Sequence, residues 1–336
     1  MKAKQLETFR EQEGSETILA VEHLKVYFES SRGLFEKKKF VKAVDDISFS
    51  IERGETLALV GESGSGKTTT ARAIVRLVKP SDGAIIFGDQ DITALKGNEL
   101  KEYRREVQYI FQDPYESLNP RQTVFDAIAT PIRVQHLEEA VGIQEQVDTL
   151  LKTVNLNPEV TRHRYPHELS GGQRQRVNIA RALSMKPELI IADEPVSMLD
   201  VSLRLGILRL LSELAKTRGL TLLFITHDMA AARQICSKIA AMYLGKIVEN
   251  GMVDDVISQP IHPYTKLLVE ATPELVLSER VSPVQGPTPE KTTQAVLRGC
   301  RFNNRCKYAI EKCTTVEPGL IERRKGQYAA CDVVKV

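Results

Sequence analysis

The sequence predicts an α/β fold in which a parallel sheet is covered by helices on both faces. Three observations predict it. A glycine-rich tract, Gly61-Glu62-Ser63-Gly64-Ser65-Gly66-Lys67-Thr68, lies between an apolar run at 55–60 and a helical pattern at 69–78. Two further apolar runs, 189–192 and 220–225, have the length of strands buried on both sides. A helical pattern at 202–217 separates them. Strand, helix, buried strand, helix, buried strand is the order that a parallel sheet requires, because each crossover lays a helix on a sheet face.

Taken in order, residues 1–17 are polar and mixed in charge, a flexible N-terminal segment without the apolar core of a signal peptide. Residues 18–28 and 40–51 read as strands from their partial alternation of β-branched and aromatic residues. The basic stretch between them reads as an exposed hairpin loop with a solvated tip. The tract at 61–68 matches the phosphate-cradling pattern G-x-x-x-x-G-K-[ST]. Its glycines let the backbone curl until several N–H groups face one centre, and the following helix N-terminus adds partial positive charge there. Lys67 reaches the β- and γ-phosphates of a nucleotide so held, and the Thr68 hydroxyl is placed to ligate Mg²⁺. Short strands follow at 84–87 and 107–111. From about 113 to 169 helical patterns dominate, at 124–132 and 144–154, and read as a second lobe of the same domain. Beyond Pro260 the chain becomes Pro-rich, with Pro283, Pro287 and Pro289 forming a linker.

The bulk numbers narrow the function. The chain has 336 residues, 42% hydrophobic and 27% charged, with a net charge of +2. That is an ordinary soluble composition with nothing to attract a nucleic-acid polyanion. No apolar run is long enough to span a bilayer, so the expectation is a protein without a membrane span that stays where it is made. Of five cysteines, Cys236 stands alone and reads as a buried small residue. Cys300, Cys306, Cys313 and Cys331 crowd the C-terminus, and in a cytosolic chain such a cluster suggests metal before disulfide.

Two more motifs carry chemistry. The buried run 189–192 ends in Asp193-Glu194. A carboxylate at that strand end sits beside the P-loop, where Asp193 holds Mg²⁺ through water and Glu194 polarises a water for attack on the γ-phosphate. Leu169-Ser170-Gly171-Gly172-Gln173 precedes an amphipathic helix at 174–185. Ser170 is a good N-cap, and a glycine-bearing helix N-terminus is a second anion site.

In combination these motifs resemble the nucleotide-binding subunits of ATP-binding-cassette (ABC) transporters. The resemblance implies a P-loop NTPase (RecA-like) core with an antiparallel β-subdomain and a helical signature subdomain at about 113–176, all within residues 18–260. A linker and regulatory extension at 261–295 and a small Cys-rich module at 296–336 would follow. The family assigns ATP binding to Gly61, Ser63, Gly64, Gly66, Lys67, Thr68 and Thr69. It assigns Mg²⁺ to Thr68, Gln112 and Asp193, and catalysis to Glu194, His227, Gln112 and Lys67. Gln112 matches the Q-loop glutamine and His227 the switch histidine. Asp200 matches the D-loop in Ser197-Met198-Leu199-Asp200, where alanine is more usual than Met198. Ser170, Gly171, Gly172 and Gln173 match the signature loop, which binds the γ-phosphate held by the opposite subunit. Phe28 is the aromatic placed to stack on adenine, with Tyr27 and Phe40 as alternatives.

Details resemble one subfamily, the oligopeptide and dipeptide importers: Phe111-Gln112-Asp113-Pro114-Tyr115-Glu116-Ser117-Leu118-Asn119-Pro120-Arg121, Arg164-Tyr165-Pro166-His167-Glu168 and His262-Pro263-Tyr264-Thr265. Glu194-Pro195-Val196-Ser197 is closer to the second of that system's two different ATPase subunits. The implied partners are a second, different ATPase subunit, two transmembrane permease subunits and an extracytoplasmic substrate-binding protein. The implied place is the cytoplasmic face of the cell membrane, and Tyr115 and Leu118 are candidate permease contacts. The subfamily also moves nickel, glutathione and oligosaccharides, and a soluble ABC ATPase is the remaining alternative. The four C-terminal cysteines resemble a module that in some members holds a 4Fe-4S cluster. Four thiolates also suit Zn²⁺, although five residues separate Cys300 from Cys306, wider than a zinc knuckle. The intervening linker leads one to expect nucleotide binding that is independent of this tail.

Overall fold

The structure, a computed structural model, describes residues 16–30, 39–139, 141–272 and 298–334. Most of the N-terminal segment, the 31–38 loop tip and residues 273–297, which hold most of the linker expected at 261–295, lie outside the described residues, whereas the start of that expected linker is a packed helix at Pro263–Glu270. The chain opens with β1 (Thr17–Ser30), β2 (Lys39–Glu52), β3 (Thr56–Val60), α1 (Lys67–Ile74), β4 (Asp82–Phe87), β5 (Gln90–Asp91), α2 (Gly97–Glu106) and β6 (Val107–Ile110). A helical stretch follows, α3 (Val124–Val134), α4 (Ile143–Thr153), α5 (Pro158–Thr161) and α6 (Gly171–Leu183). Then come β7 (Leu189–Asp193), α7 (Val201–Arg218), β8 (Thr221–Thr226), α8 (Met229–Ile235), β9 (Lys238–Tyr243), β10 (Lys246–Met252), α9 (Val253–Ser258) and α10 (Pro263–Glu270). The C-terminal segment adds α11 (Glu311–Thr315), β11 (Ile321–Arg324) and β12 (Gln327–Ala329).

Two sheets result, a four-stranded one ordered β2-β1-β4-β5 and an eight-stranded one ordered β11-β12-β10-β9-β3-β8-β7-β6. Strands β9, β3, β8, β7 and β6 pair in parallel, while β10, β12 and β11 add antiparallel edges. Every residue of β3, β7 and β8 is buried, so these strands read as apolar runs rather than as alternation. Their side chains still alternate between faces. Ala58, Val60, Ile190, Ala192, Leu222 and Phe224 enter one core with the helices α3, α4, α6, α7 and α8. Leu57, Leu59, Leu189, Ile191, Leu223 and Ile225 enter the other.

The second core meets the expectation of helices on both faces, with the antiparallel sheet sharing that face with them. It is closed by the antiparallel sheet together with α1 and α2, through residues such as Leu19, Leu24, Ile47, Ile74 and Tyr103. The strand expected at 84–87 belongs there, paired antiparallel to β1 in the register Leu19↔Phe87, and not to the parallel sheet. Leu118 is buried among the helical residues, which removes it as a permease contact, whereas Tyr115 is exposed. Cys236 is buried in the same core, as expected of a small apolar residue.

Candidate active site

Parallel strands put their carboxyl ends on one edge, and the expected motifs follow those ends: the P-loop after β3, Gln112 after β6, Asp193 and Glu194 at β7, His227 after β8. The P-loop is shaped by its glycines. Gly66 caps α1 at φ 108°, and a Cβ there would lie 2.3 Å from the Ala43 carbonyl oxygen. Gly61 is as confined, its Cβ position falling 2.2 Å from the Met242 carbonyl oxygen. Lys67 is buried within the curl and donates through Nζ to the carbonyl oxygens of Gly61 (2.7 Å) and Glu62 (2.9 Å). Burial lowers its pKa, and the carboxylates of Glu194, Asp193 and Glu62 oppose that loss of charge.

The Thr68 hydroxyl donates to Asp193 Oδ1 at 3.1 Å, so two of the three groups assigned to Mg²⁺ are adjacent. Asp193 Oδ2 accepts from the Tyr109 hydroxyl at 2.6 Å. Burial raises the Asp193 pKa, and the hydrogen bonds from Tyr109 and Thr68 offset part of that rise. A buried carboxylate beside a hydroxyl is the oxygen donor set that suits a hard divalent cation. Glu194 has a left-handed backbone, φ 45°, held by its N–H on the Ile225 carbonyl oxygen at 2.9 Å. Its Oε2 faces Gln112 Nε2 at 3.1 Å and His227 Nδ1 at 3.5 Å. The His227 hydrogen bond holds the Glu194 carboxyl below its ordinary range against the opposing effect of burial, and the same contact raises the imidazole. Three of the four expected catalytic residues thus meet at one carboxylate.

The other expected residues are placed differently. Ser170 caps α6 by accepting from the Gln173 N–H at 3.3 Å, while Gln173 Oε1 accepts from the Ser170 N–H at 3.0 Å. This capping box leaves the Gly171 and Gly172 N–H groups at the start of the helix without intrahelical acceptors, and Ser170 itself is exposed. Asp200 caps α7, is exposed, and makes no side-chain cap bond. Ser63 and Gly64 are exposed at the loop tip, and Thr69 is half-buried on α1. Phe28 is exposed on β1, as is Phe40 on β2, while the Tyr27 hydroxyl is engaged by Asp45.

Cys300, Cys306, Cys313 and Cys331 line one cavity together with Phe302 and His262. All are free thiols. Burial raises Cys300 and Cys306, and backbone N–H groups of Phe302 and Tyr308 directed at their sulfurs oppose the rise. Among the described residues no group of three or more His, Cys, Asp or Glu is close enough to hold a single metal ion.

Sequence reasoning missed three residues here. Tyr109 holds Asp193, the Tyr264 hydroxyl accepts from the Glu62 N–H at 2.7 Å, and Arg305 forks onto the Glu62 carboxylate. Tyr109 was legible only as part of an apolar strand. Tyr264 lay in a quoted motif without a role, and no local signal marks Arg305.

Comparison with known proteins agrees with this geometry. The ABC transporter family matches residues 44–197, and the oligopeptide/dipeptide transporter C-terminal region matches residues 248–313. The chain is 43% identical over 323 residues to the oligopeptide transport ATP-binding protein AppF of Bacillus subtilis (strain 168), covering 94% of this chain and 97% of that one. OppF of the same organism, an oligopeptide transport ATP-binding protein, is 49% identical over 261 residues, 77% of this chain and 83% of that one. The dimeric, post-hydrolysis structure of the ATP-binding cassette MJ0796 bound to ADP and Pi aligns with a TM-score of 0.63 at 27% identity, over 70% of this chain and 99% of that one. A P-loop with its carboxylate pair on the neighbouring strand, a capped glycine helix and relatives of this likeness along nearly the whole chain make it a member of the ATP-binding proteins of ABC transporters, in the oligopeptide/dipeptide transporter group.

Proposed function

We propose that this ATPase powers the import of oligopeptides or dipeptides as one of two different ATPase subunits, docked on two transmembrane permease subunits at the cytoplasmic face and supplied by an extracytoplasmic substrate-binding protein. The names of its relatives support the cargo class, and no helix among the described residues is long and apolar enough to cross a membrane by itself. One observation carries the mechanism: Glu194 is bound by Gln112 and His227 beside the Lys67–Thr68–Asp193 group, while the Ser170 capping box keeps its hydrogen bonds to itself. The P-loop half of a site and the signature half would then be joined by a partner subunit. Lys67 and the loop amides bind the β- and γ-phosphates of ATP, and Phe28 stacks on its adenine. Thr68, Asp193 and Gln112 would hold Mg²⁺, which when bound would supply positive charge beside the phosphates. Glu194 accepts the proton of the attacking water, and His227 orients Glu194 and the γ-phosphate. Asp200 faces the partner. A tagged chain purified from detergent-solubilised membranes should bring down a second ATPase, two permeases and a peptide-loaded binding protein. Recovery of ribosomes, or of a binding protein loaded with sugar or nickel, would overturn the assembly or the cargo respectively.

The four C-terminal thiols would hold a 4Fe-4S cluster. The lining of one cavity by all four thiols supports this reading, with Zn²⁺ as the alternative. Iron and sulfide analysis of anaerobically purified protein tests this reading, and stoichiometric zinc would reject it.

A further inference from the structure

The C-terminal segment reaches the nucleotide site directly. Arg305 Nη1 lies 2.8 Å from Glu62 Oε2 and Nη2 lies 2.9 Å from Glu62 Oε1, a two-pronged pair in which the arginine side chain is only 14% exposed. Glu62 is the second residue of the P-loop, and its backbone is held as well. Its N–H donates to the Tyr264 hydroxyl, and its carbonyl oxygen accepts from Lys67 Nζ and from the Ser65 N–H at 3.2 Å. The guanidinium rests against the rings of Phe302 (5.6 Å) and Tyr243 (5.8 Å), so its direction is set by packing. Arg301, four positions earlier, pairs with Asp45 and with the Leu244 carbonyl oxygen. Next to Leu244, the Gly245 N–H donates to the Ser65 carbonyl oxygen at 2.8 Å. The segment therefore braces the loop once through Glu62 and once through the β9–β10 turn.

We propose that Arg305 is a positioning residue for ATP binding, acting through Glu62 to hold the P-loop in its curled form before nucleotide arrives. A forked arginine–carboxylate pair fixes orientation as well as distance, and a loop ordered in advance loses less entropy on binding. Arg305 precedes Cys306 in the chain, so the state of the thiol-lined cavity reaches the P-loop through one peptide bond. This last step rests on the four-thiol reading, whereas the Arg305–Glu62 pair stands without it.

The test is calorimetric titration of the full chain with MgATP in the Glu194→Gln background, which removes turnover. Arg305→Ala is expected to weaken affinity about tenfold. Arg305→Lys, which keeps the charge but loses the fork, should fall between, and it remains informative should Arg305→Ala not fold. Glu62→Gln should lose a similar factor, and the double variant should be no worse than either single, with thermal midpoint and iron content unchanged. Unaltered affinity in folded Arg305→Ala or in Arg305→Lys overturns the proposal. A full further loss when Arg305→Ala is added to Glu62→Gln overturns the route through Glu62. Cys306→Ser should shed iron and weaken ATP binding to the same degree as Arg305→Ala, and iron loss at unchanged affinity overturns the link to the tail. Wild-type protein without iron overturns the cluster reading alone, since the Arg305 comparison is then made on that same chain.

Discussion

Glu194 is the residue on which the site turns, and its surroundings state its protonation. Hydrogen bonding to His227 lowers its pKa, so it is ionised and ready to accept a proton at neutral pH. Glu194→Gln removes the proposed base and leaves Lys67, Thr68 and Asp193 in place. Hydrolysis should fall by about 100-fold or more while ATP still binds, measured with the partner site also disabled. Turnover at the wild-type rate would remove Glu194 from the mechanism. The pair also carries a pH signature. His227 is raised above its ordinary 6.5 and Glu194 lowered below its ordinary 4.5, so the charged pair is fully present between those values. It is lost as pH rises through the folded-state imidazole pKa, and lost at low pH as Glu194 protonates. An NMR titration of the His227 ring should therefore show a midpoint above 6.5 that moves down in Glu194→Gln. An identical midpoint in both would dissolve the pair.

At the scale of the element, the P-loop separates glycines that are needed from one that is merely convenient. At Gly66 an added Cβ meets the Ala43 carbonyl oxygen and, at 2.7 Å, Met242 Cε, so β2 or α1 must shift. At Gly64 the φ is +79° but nothing lies within 4 Å of the Cβ position. Gly66→Ala should therefore abolish measurable ATP binding and lower the thermal midpoint. Gly64→Ala should fold and pay only the left-handed backbone strain, about 1–2 kcal/mol. Equal behaviour of the two variants in paired thermal and calorimetric measurements would contradict the packing around Gly66. The same reasoning makes α6 a prepared element, because its capping box comes entirely from its own first residues.

At the scale of the whole molecule, the C-terminal segment is part of the main sheet. Strand β12 pairs with β10 in the register Glu249↔Ala329, and β11 pairs with β12, which covers an edge that would otherwise present unpaired backbone groups. Glu249 is fully buried at this seam and accepts from the Ile261 N–H (2.9 Å), the His262 N–H (2.8 Å) and Gln327 Nε2 (2.8 Å). Glu249→Ala strands two backbone donors and an amide in a dry place. A loss of about 3 kcal/mol in chemical denaturation is expected, with Glu249→Gln milder because it keeps an acceptor oxygen. A loss below about 1 kcal/mol would show that water replaces the carboxylate. This seam, with the Arg305–Glu62 pair, also removes the reason for expecting nucleotide binding to ignore the tail.

What the sequence determined by itself is whatever depends on covalent neighbours. The curl of 61–68, the Ser170 cap with Gln173 three residues on, and the buried strands recognisable as apolar runs are local consequences of residue type and spacing. From these, the family was legible, and so was the placing of Lys67, Asp193 and Glu194 at one edge of the sheet. Tertiary structure alone decided which distant residues meet. The strand at 84–87 could not be assigned to its sheet, since a short apolar run carries no record of its partner. Leu118 and Tyr115, three apart in one motif, part company because only packing decides which is covered. The Tyr109–Asp193 bond joins neighbouring strands 84 residues apart, and Arg305 reaches Glu62 across 243 residues. Such contacts arise from sheet order and crossover, which place side chains by the register of whole strands, so no spacing along the chain announces them.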